Sequence, residues 1–78
     1  GNIRNPGLIF AEMQGTIMET MTKQGKKVKK GDSLFVLEAM KMENVITSPI
    51  DGVIKTYNVQ KGQPVKKGDL LVEIETRF

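Results

Sequence analysis

The sequence predicts an all-β fold, a small barrel or sandwich with quasi-two-fold symmetry. Glycines recur every few residues, and the short runs between them are rich in Ile, Val, Leu and Thr, which is typical of short strands joined by tight turns. No stretch keeps a period of 3.6 residues long enough to predict a helix. The chain also repeats itself, which predicts two equivalent halves. The punctuating glycines are Gly7, Gly15, Gly25, Gly31, Gly52, Gly62 and Gly68.

The clearest strands are predicted at residues 33–37, 52–57 and 70–74, where apolar residues are dense. Successive side chains point to opposite faces of a strand. In the last run this alternation separates Leu70, Val72 and Ile74 from Leu71, Glu73 and Glu75. The separation supports the prediction of a strand there.

The internal repeat relates the first half of the chain to the second. The pentapeptide Val28–Asp32 recurs as Val65–Asp69, at an offset of 37 residues. A solenoid needs at least three copies of its repeat, so two copies in a small chain predict two halves that bury each other. Other matches at the same offset are Gly15 with Gly52, Ile17 with Ile54, Gly25 with Gly62 and Leu34 with Leu71.

The repeated Lys-Lys-Gly-Asp segments predict turns that end one short strand and start the next. Gly31 and Gly68 can take positive φ there, and the aspartate after each glycine can hydrogen-bond the backbone two residues on, as in an Asx-turn. We expect the lysine pairs of these segments to lie on the solvated face of each turn.

The segment between the two halves holds the candidate functional residue. A strand at 33–39 and an apolar strand near 43–48 are connected most economically by a tight hairpin at Met40, Lys41 and Met42. Helix-forming residues are common in this segment, but the flanking strands favour the hairpin. The hairpin lacks the Asn-Gly or Gly-Gly pair that such turns favour. Because local rules tend to fail at functional sites, this unfavoured turn points to Lys41.

Composition argues against a self-sufficient enzyme. The chain has 78 residues and contains neither His nor Cys. This removes the commonest general acid or base, the commonest metal ligand and any thiolate. A Ser-His or Cys-His nucleophile is therefore impossible within the chain. We predict one small domain with a thin core, no catalytic residue and no metal site.

The basic charge balance leaves a nucleic-acid-binding β-barrel as one alternative. The formal net charge is +3 and the pI is near 9.3, and lysines cluster in one part of the chain. The repeat partner of this cluster, Lys66–Lys67, falls in an equivalent turn, and aromatic residues that could stack on bases are scarce. We therefore predict a solvated turn and no nucleic-acid partner. The cluster comprises Lys23, Lys26, Lys27, Lys29 and Lys30.

The ends of the chain and its hydropathy bear on where the protein acts. Residues 1–7 are expected to be a flexible N-terminal lead or an expression remnant, followed by the domain at 8–76. No run approaches the roughly 18 apolar residues of a membrane span, so we predict no direct membrane insertion. The N-terminus lacks the apolar core of a secretory signal. Together with the absence of Cys, this predicts a cytoplasmic location, or an organellar matrix in a eukaryote.

The segment Glu38–Asn44, Glu-Ala-Met-Lys-Met-Glu-Asn, resembles the biotinylation motif of biotinyl domains, also called biotin carboxyl carrier domains. The resemblance covers residues 9–75. Between Gly15 and Gly25 there is no room for the thumb loop of some acetyl-CoA carboxylase carriers. The chain is therefore similar to the thumbless type of biotin-dependent carboxylases and decarboxylases. Further matching segments are 11–17 at the family's opening, 25–32 at its first turn, and 52–54 and 62–71 in its second half.

This resemblance implies a flattened barrel or sandwich of two four-stranded antiparallel sheets, as in biotinyl and lipoyl domains. It implies that a biotin protein ligase joins biotin to Lys41 through an amide. The loaded arm would then shuttle CO2 as carboxybiotin between biotin carboxylase and carboxyltransferase sites, so the domain itself would be a non-catalytic carrier. The recognition residues implied around Lys41 are Glu38, Ala39, Met40, Met42 and Glu43.

A lipoyl carrier domain of a 2-oxo-acid dehydrogenase complex is the closest alternative. Lipoyl domains resemble this fold and repeat, but their lysine is typically flanked by Asp and Ala, whereas Lys41 lies between Met40 and Met42. Simpler roles also stay open for single residues. Lys41 could be a solvated turn lysine, the two methionines could fill the core, and Glu38 and Glu43 could be ordinary edge-strand charges.

Overall fold

The computed structural model of the chain describes residues 5–76. These residues form eight β-strands and no helix, so they include no helix long and apolar enough to cross a membrane. The strands are β1 (Leu8–Phe10), β2 (Gly15–Thr20), β3 (Lys27–Val28), β4 (Ser33–Ala39), β5 (Met42–Thr47), β6 (Gly52–Tyr57), β7 (Pro64–Val65) and β8 (Leu70–Glu75).

The strands form two four-stranded antiparallel sheets, as predicted. One sheet has the order β1-β8-β6-β3 and the other has the order β5-β4-β2-β7. The two repeats exchange their shortest strands. Lys27 of β3 lies opposite Val53 of β6, and Val65 of β7 lies opposite Gly15 of β2. Because each repeat supplies an edge strand to the other's sheet, neither repeat alone would form a complete four-stranded sheet.

The quasi-two-fold symmetry is visible in the backbone hydrogen bonds. The N–H of Gly25 donates to the oxygen of Ile54 at 2.7 Å, and the N–H of Gly62 donates to the oxygen of Ile17 at 2.7 Å. These two bonds exchange places under the offset of 37 residues. The sequence repeat is therefore a repeat of backbone structure. The same holds for the bonds from Gly31 to Ser48 and from Gly68 to Ala11.

The core lies between the sheets and is built from both of them. Its largest buried side chains come from equivalent positions of the two repeats, which explains why the repeat preserves apolar residues there. The sheet with β4 contributes Ile17, Leu34, Phe35 and Leu37, and the sheet with β8 contributes Ile54, Leu71, Val72 and Ile74.

The alternation expected in the last strand fails at its first residues. Leu70 is 38% exposed, whereas Leu71 and Val72 are both buried. The cause is a shift in the register of β8 against β1, between Ile9 and Phe10. A β-bulge adds one residue to a strand and interrupts the alternation of its side chains, so two successive apolar residues reach the core.

The first repeat has the same irregularity at the equivalent point. The register of β4 against β5 shifts between Ser33 and Phe35, and the adjacent residues Leu34 and Phe35 are both buried. In both repeats the bulge thus coincides with two adjacent apolar residues that follow Gly-Asp and one further residue. This pattern occurs twice in the sequence, but a prediction based on strict alternation of side chains does not account for it.

The Gly-Asp turns confirm one prediction and correct another. Gly31 and Gly68 have positive φ values of 94° and 93°, as predicted. The aspartate, however, bonds backwards: Asp32 Oδ2 accepts from the N–H of Lys29 at 2.8 Å. The N–H of Asp32 itself donates to the oxygen of Lys29. This tight turn places the Asp32 carboxylate next to the backbone of Lys29, the first residue of the turn. The second repeat has the same bond between Asp69 and Lys66.

The expected N-terminal lead lies partly outside the described residues, because these begin at Asn5. In its described part, Gly7 is buried and its oxygen accepts from the N–H of Ile74 at 2.7 Å. The side chain of Asn5 accepts from the N–H of Gly7 at 2.9 Å. Backbone pairing to β8 thus begins before residue 8, and the bounds 1–7 and 8–76 stay predictions.

Candidate functional site

The tip of the β4–β5 hairpin, residues Met40 and Lys41, is a two-residue turn. Ala39 lies opposite Met42 as the last strand pair, and Met40 and Lys41 have positive φ values of 53° and 64°. The type I′ turn, whose twist matches that of the flanking strands, requires positive φ at both central residues, and this turn meets that requirement. The predicted hairpin is therefore present, one residue shorter than the three named for it.

The tip presents its side chains to solvent. Met40 is 82% exposed and Met42 is 64% exposed, which excludes a role for either as core filler. Lys41 is exposed, and its amine makes no ion pair or hydrogen bond with any residue between 5 and 76. Ala39 is buried beneath them. The hairpin is thus anchored on one side by a small core residue and offers a free amine at its end.

Two carboxylates face each other just behind the tip. Glu38 of β4 lies directly opposite Glu43 of β5, and both side chains are exposed. Like charges at directly opposed positions destabilise a strand pair. The sequence analysis named both residues but did not predict that they would be opposed, since that depends on the turn having two residues.

Gly15 fixes how closely β2 approaches the hairpin. A β-carbon on Gly15 would overlap the backbone oxygen of Glu38. The second repeat has the same contact, where a β-carbon on Gly52 would lie 2.5 Å from the oxygen of Glu75. These glycines are needed for close approach of two backbones, not for an unusual φ, and the contact at Gly15 holds β2 against the strand that leads to Lys41.

A cleft of about 420 Å³, here called the tip cleft, opens beside Lys41 between the ends of β4, β2 and β7. Its polar walls combine a carboxylate, an amide, a hydroxyl and an ammonium group, from Glu38, Gln14, Thr16 and Lys66. A second groove of about 480 Å³ lies between β5 and residues 9–13 and has mostly apolar walls. Lys41 does not line that second groove.

The sequence analysis did not single out Gln14 or Thr16, and it interpreted Lys66 only as a solvated turn lysine. None of the three lies in the contiguous motif Glu38–Asn44 around Lys41. The repeat could have drawn attention to Gln14 and Thr16, because its offset aligns them with the different residues Asp51 and Val53. Different residue types at equivalent positions of the two repeats indicate where the two halves differ in function.

The lysine cluster considered for nucleic-acid binding lies on β3 and the turns around it. All five lysines are exposed, and β3 belongs to the sheet that does not carry Lys41. The position agrees with the solvated turn that was predicted. The cluster comprises Lys23, Lys26, Lys27, Lys29 and Lys30.

A family model described as "Biotin-requiring enzyme" matches residues 2–75. The chain belongs to this family. Membership agrees with the motif at Glu38–Asn44 and with the two-sheet fold that the resemblance implied.

Sequence relatives of this biotinyl domain are carboxylases. It is 48% identical over 71 residues to pyruvate carboxylase of Bacillus subtilis (strain 168), covering 91% of this chain and 6% of that protein. It is 45% identical over 69 residues to the mitochondrial methylcrotonoyl-CoA carboxylase subunit alpha of Mus musculus, covering 88% of this chain and 10% of that protein. The domain thus spans a tenth or less of the length of these relatives.

Solved structures of carboxylases also match this domain. The urea carboxylase of Kluyveromyces lactis matches 87% of this domain with a TM-score of 0.78 and 29% identity, over 6% of its own chain. A single-chain, multi-domain long-chain acyl-CoA carboxylase matches 97% of this domain with a TM-score of 0.76 and 36% identity, over 8% of its chain. These carboxylase matches favour a biotin carboxyl carrier domain over the lipoyl alternative.

Proposed function

We propose that Lys41 is the residue that carries biotin, through an amide between its Nζ and the biotin carboxyl group. The observation that carries this proposal is the two-residue turn, which holds Lys41 in the left-handed region at an exposed tip. Its amine has no partner among residues 5–76. An accessible, unpaired amine at a fixed position is what an acylating enzyme requires, so the residues present fit the attached group.

The domain acts as a carrier, and other proteins perform the chemistry. Biotin supplies, once attached, a ureido nitrogen that can take up a carboxyl group and give it away. The chain contributes the flexible lysine stem and the rigid hairpin from which that stem extends. It has no His or Cys to act as acid, base or nucleophile. The partners required are a biotin protein ligase, a biotin carboxylase and a carboxyltransferase.

The residues around Lys41 serve recognition by these partners. Met40 and Met42 present exposed thioether side chains, which adapt to several different surfaces in turn. Glu38 and Glu43 repel each other in the free domain. A cationic group on a partner would relieve that repulsion, so the opposed carboxylates favour binding to a basic surface.

The carboxyl acceptor is selected outside this domain. Carboxylases named for pyruvate, methylcrotonoyl-CoA, urea and long-chain acyl-CoA all contain a segment similar to this chain. Those acceptors share no common shape or charge that one small carrier surface could select. The carrier therefore recognises the arm and the partner enzymes, and the transferase site recognises the acceptor.

Intact-mass measurement after co-expression with a ligase tests the attachment. One culture supplies a biotin protein ligase and a parallel culture supplies a lipoate ligase. We expect one biotin per chain, mapped to Lys41 by peptide fragmentation, and no lipoyl group. A lipoyl adduct without any biotin would assign the domain to the lipoyl branch instead.

The variant Lys41→Arg keeps the positive charge at the tip but cannot form the amide. We expect no biotin on this variant and a free energy of unfolding within about 0.5 kcal/mol of the parent, because exposed positions tolerate substitution. Lys30→Arg is the matched control, an exposed turn lysine that should leave loading complete. Biotin found on Lys41→Arg would place the site elsewhere, and unfolding of that variant would make Lys41 structural.

A further inference from the structure

The tip cleft has an equivalent in the other half of the molecule. A cleft of about 620 Å³, here called the base cleft, is lined by residues that include Lys29, Asp51, Gly52 and Val53. At the offset of 37 residues these correspond to Lys66, Gln14, Gly15 and Thr16 of the tip cleft. The two clefts are therefore two versions of one backbone surface, and only the tip cleft has Lys41 at its rim.

One residue exchange changes what the two clefts can bind. In the base cleft, Asp51 Oδ1 accepts from the backbone N–H of Lys30 at 2.8 Å. The equivalent donor beside the tip cleft is the N–H of Lys67, and Gln14 stands where Asp51 would be. No residue between 5 and 76 accepts a hydrogen bond from Lys67 N–H. The N–H of Lys67, which follows the cleft residue Lys66, thus has no protein acceptor among these residues, whereas its equivalent in the other half has one.

The other polar groups of the tip cleft suit a ureido group. A ureido carbonyl accepts hydrogen bonds, and its two N–H groups donate them. The Lys66 ammonium group supplies a donor in the cleft wall, and the N–H of the next residue, Lys67, is a second donor beside it. The Glu38 carboxylate and the Gln14 amide oxygen supply acceptors. The base cleft already has its Lys30 N–H bound to Asp51, so it offers no such open donor.

The arm is long enough to cross the end of the sheet. The sheet order β5-β4-β2-β7 puts two strand spacings, about 10 Å, between the strand that leads to Lys41 and the strand that leads to Lys66. From the lysine Cα to the biotin ring, the lysine stem and the biotin side chain together have about eleven bonds, nearly as many as four extended residues, so roughly 13 Å. An arm laid across the end of β2 would therefore bring its ureido group to Lys66 and Lys67.

We propose that the tip cleft is a resting site for the ureido end of the arm on Lys41. In this site Lys67 N–H donates to the ureido carbonyl, as Lys30 N–H donates to Asp51. The inference rests on the proposed attachment of biotin to Lys41. A tether raises the effective concentration of its end to the millimolar range, so a few hydrogen bonds suffice to hold the arm against the domain between visits to partner enzymes.

Amide-proton exchange in the chain with and without biotin tests the resting site. Both forms are labelled with ¹⁵N, and the exchange rate of each backbone amide is followed by NMR. Occupancy of about nine-tenths would slow exchange of the Lys67 amide by roughly tenfold on biotinylation, since a bound donor does not exchange. The Lys30 amide serves as an internal control and should not change. Equal rates for Lys67 in the two forms would overturn the proposal.

Two reciprocal variants exchange the properties of the clefts. Gln14→Asp gives the tip cleft the carboxylate of the base cleft, so we expect Lys67 to be protected even without biotin, with no further change on loading. Asp51→Gln is the matched control, which should expose the Lys30 amide and leave the biotin-dependent effect at Lys67 intact. A biotin effect that survives unchanged in Gln14→Asp would overturn the site.

Intact mass separates this inference from the function on which it rests. A chain that never gains biotin at Lys41 contradicts the proposed function. A chain that gains biotin at Lys41 without any response of the Lys67 amide contradicts only the resting site. Measurement of both on the same sample therefore assigns any failure to one proposal.

Discussion

The glycine-containing turns and the tip of the β4–β5 hairpin reach the left-handed backbone region in different ways. Four turns place a glycine there, at φ between 86° and 94°, and a β-carbon at any of these positions would meet nothing within 4 Å. The tip places Met40 and Lys41 there instead, at 53° and 64°. The four turn glycines are Gly25, Gly31, Gly62 and Gly68.

This difference shows what the tip is for. An L-residue in the left-handed region costs about 1–2 kcal/mol relative to the right-handed one, and the chain avoids that cost with glycine at four turns. At the tip a glycine would remove the side chain that the carrier presents. Retention of Met40 and Lys41 thus exchanges some stability for a lysine held at a defined place.

We expect the largest change in stability when alanine replaces a turn glycine. Gly31→Ala and Gly68→Ala should each lower the free energy of unfolding by about 1–2 kcal/mol, because the cost is backbone strain without any steric clash. Urea denaturation measures the loss. Lys30→Ala, one residue earlier in an exposed position, is the control and should change little. A loss below about 0.5 kcal/mol in both glycine variants would mean that these turns relax.

We expect a smaller change, a gain in stability, when the tip is given the turn sequence that type I′ turns favour. The double variant Met40→Asn with Lys41→Gly introduces the Asn-Gly pair that type I′ turns favour. It should raise the free energy of unfolding by about 1 kcal/mol, because strain is relieved at two positions, and it should abolish biotin loading. Lys41→Arg removes the attachment point without relieving the strain, so it separates the two effects.

If the double variant is no more stable than Lys41→Arg, the tip of the parent is not strained and the comparison with the glycine turns fails. Urea denaturation of both variants under the same conditions decides this. Equal stability would also mean that Met40 and Lys41 do not lower the stability of the turn.

The smallest effect on stability is expected at the exposed methionines. Met40→Leu and Met42→Leu should change the free energy of unfolding by less than about 0.5 kcal/mol, since both side chains are in solvent. They should instead slow biotin loading or carboxyl transfer, because leucine lacks the adaptable thioether stem. Steady-state kinetics with a ligase and a partner carboxylase measures this. Unchanged rates in both variants would contradict a docking role for the methionines.

Much of the fold followed from the sequence because its marks are local. The glycine turns, the strand at residues 33–39 and the hairpin before residue 43 depend on residues close together in the chain. The faces of β8 could not be predicted in this way. Leu70 and Leu71 exchange their expected environments because of a shift in pairing with β1, a strand some sixty residues away.

The site divides in the same manner. The motif identified Lys41 and its neighbours, since biotinylation motifs are contiguous. The opposition of Glu38 and Glu43 required the length of the turn, and the tip cleft required β7 to lie beside β2. Gln14 and Lys66 are distant in sequence and meet only through that strand exchange.

The sequence by itself determined an all-β domain made of two repeats, with one lysine at the turn between them. Tertiary structure alone decided the conformation of that turn, the bulges that bring adjacent residues into the core, and the chemistry of the two clefts. The physical reason is that strand register and cleft walls depend on hydrogen bonds between residues far apart in the chain. Local sequence specifies where a strand can form, whereas its partner strand decides which way each side chain points.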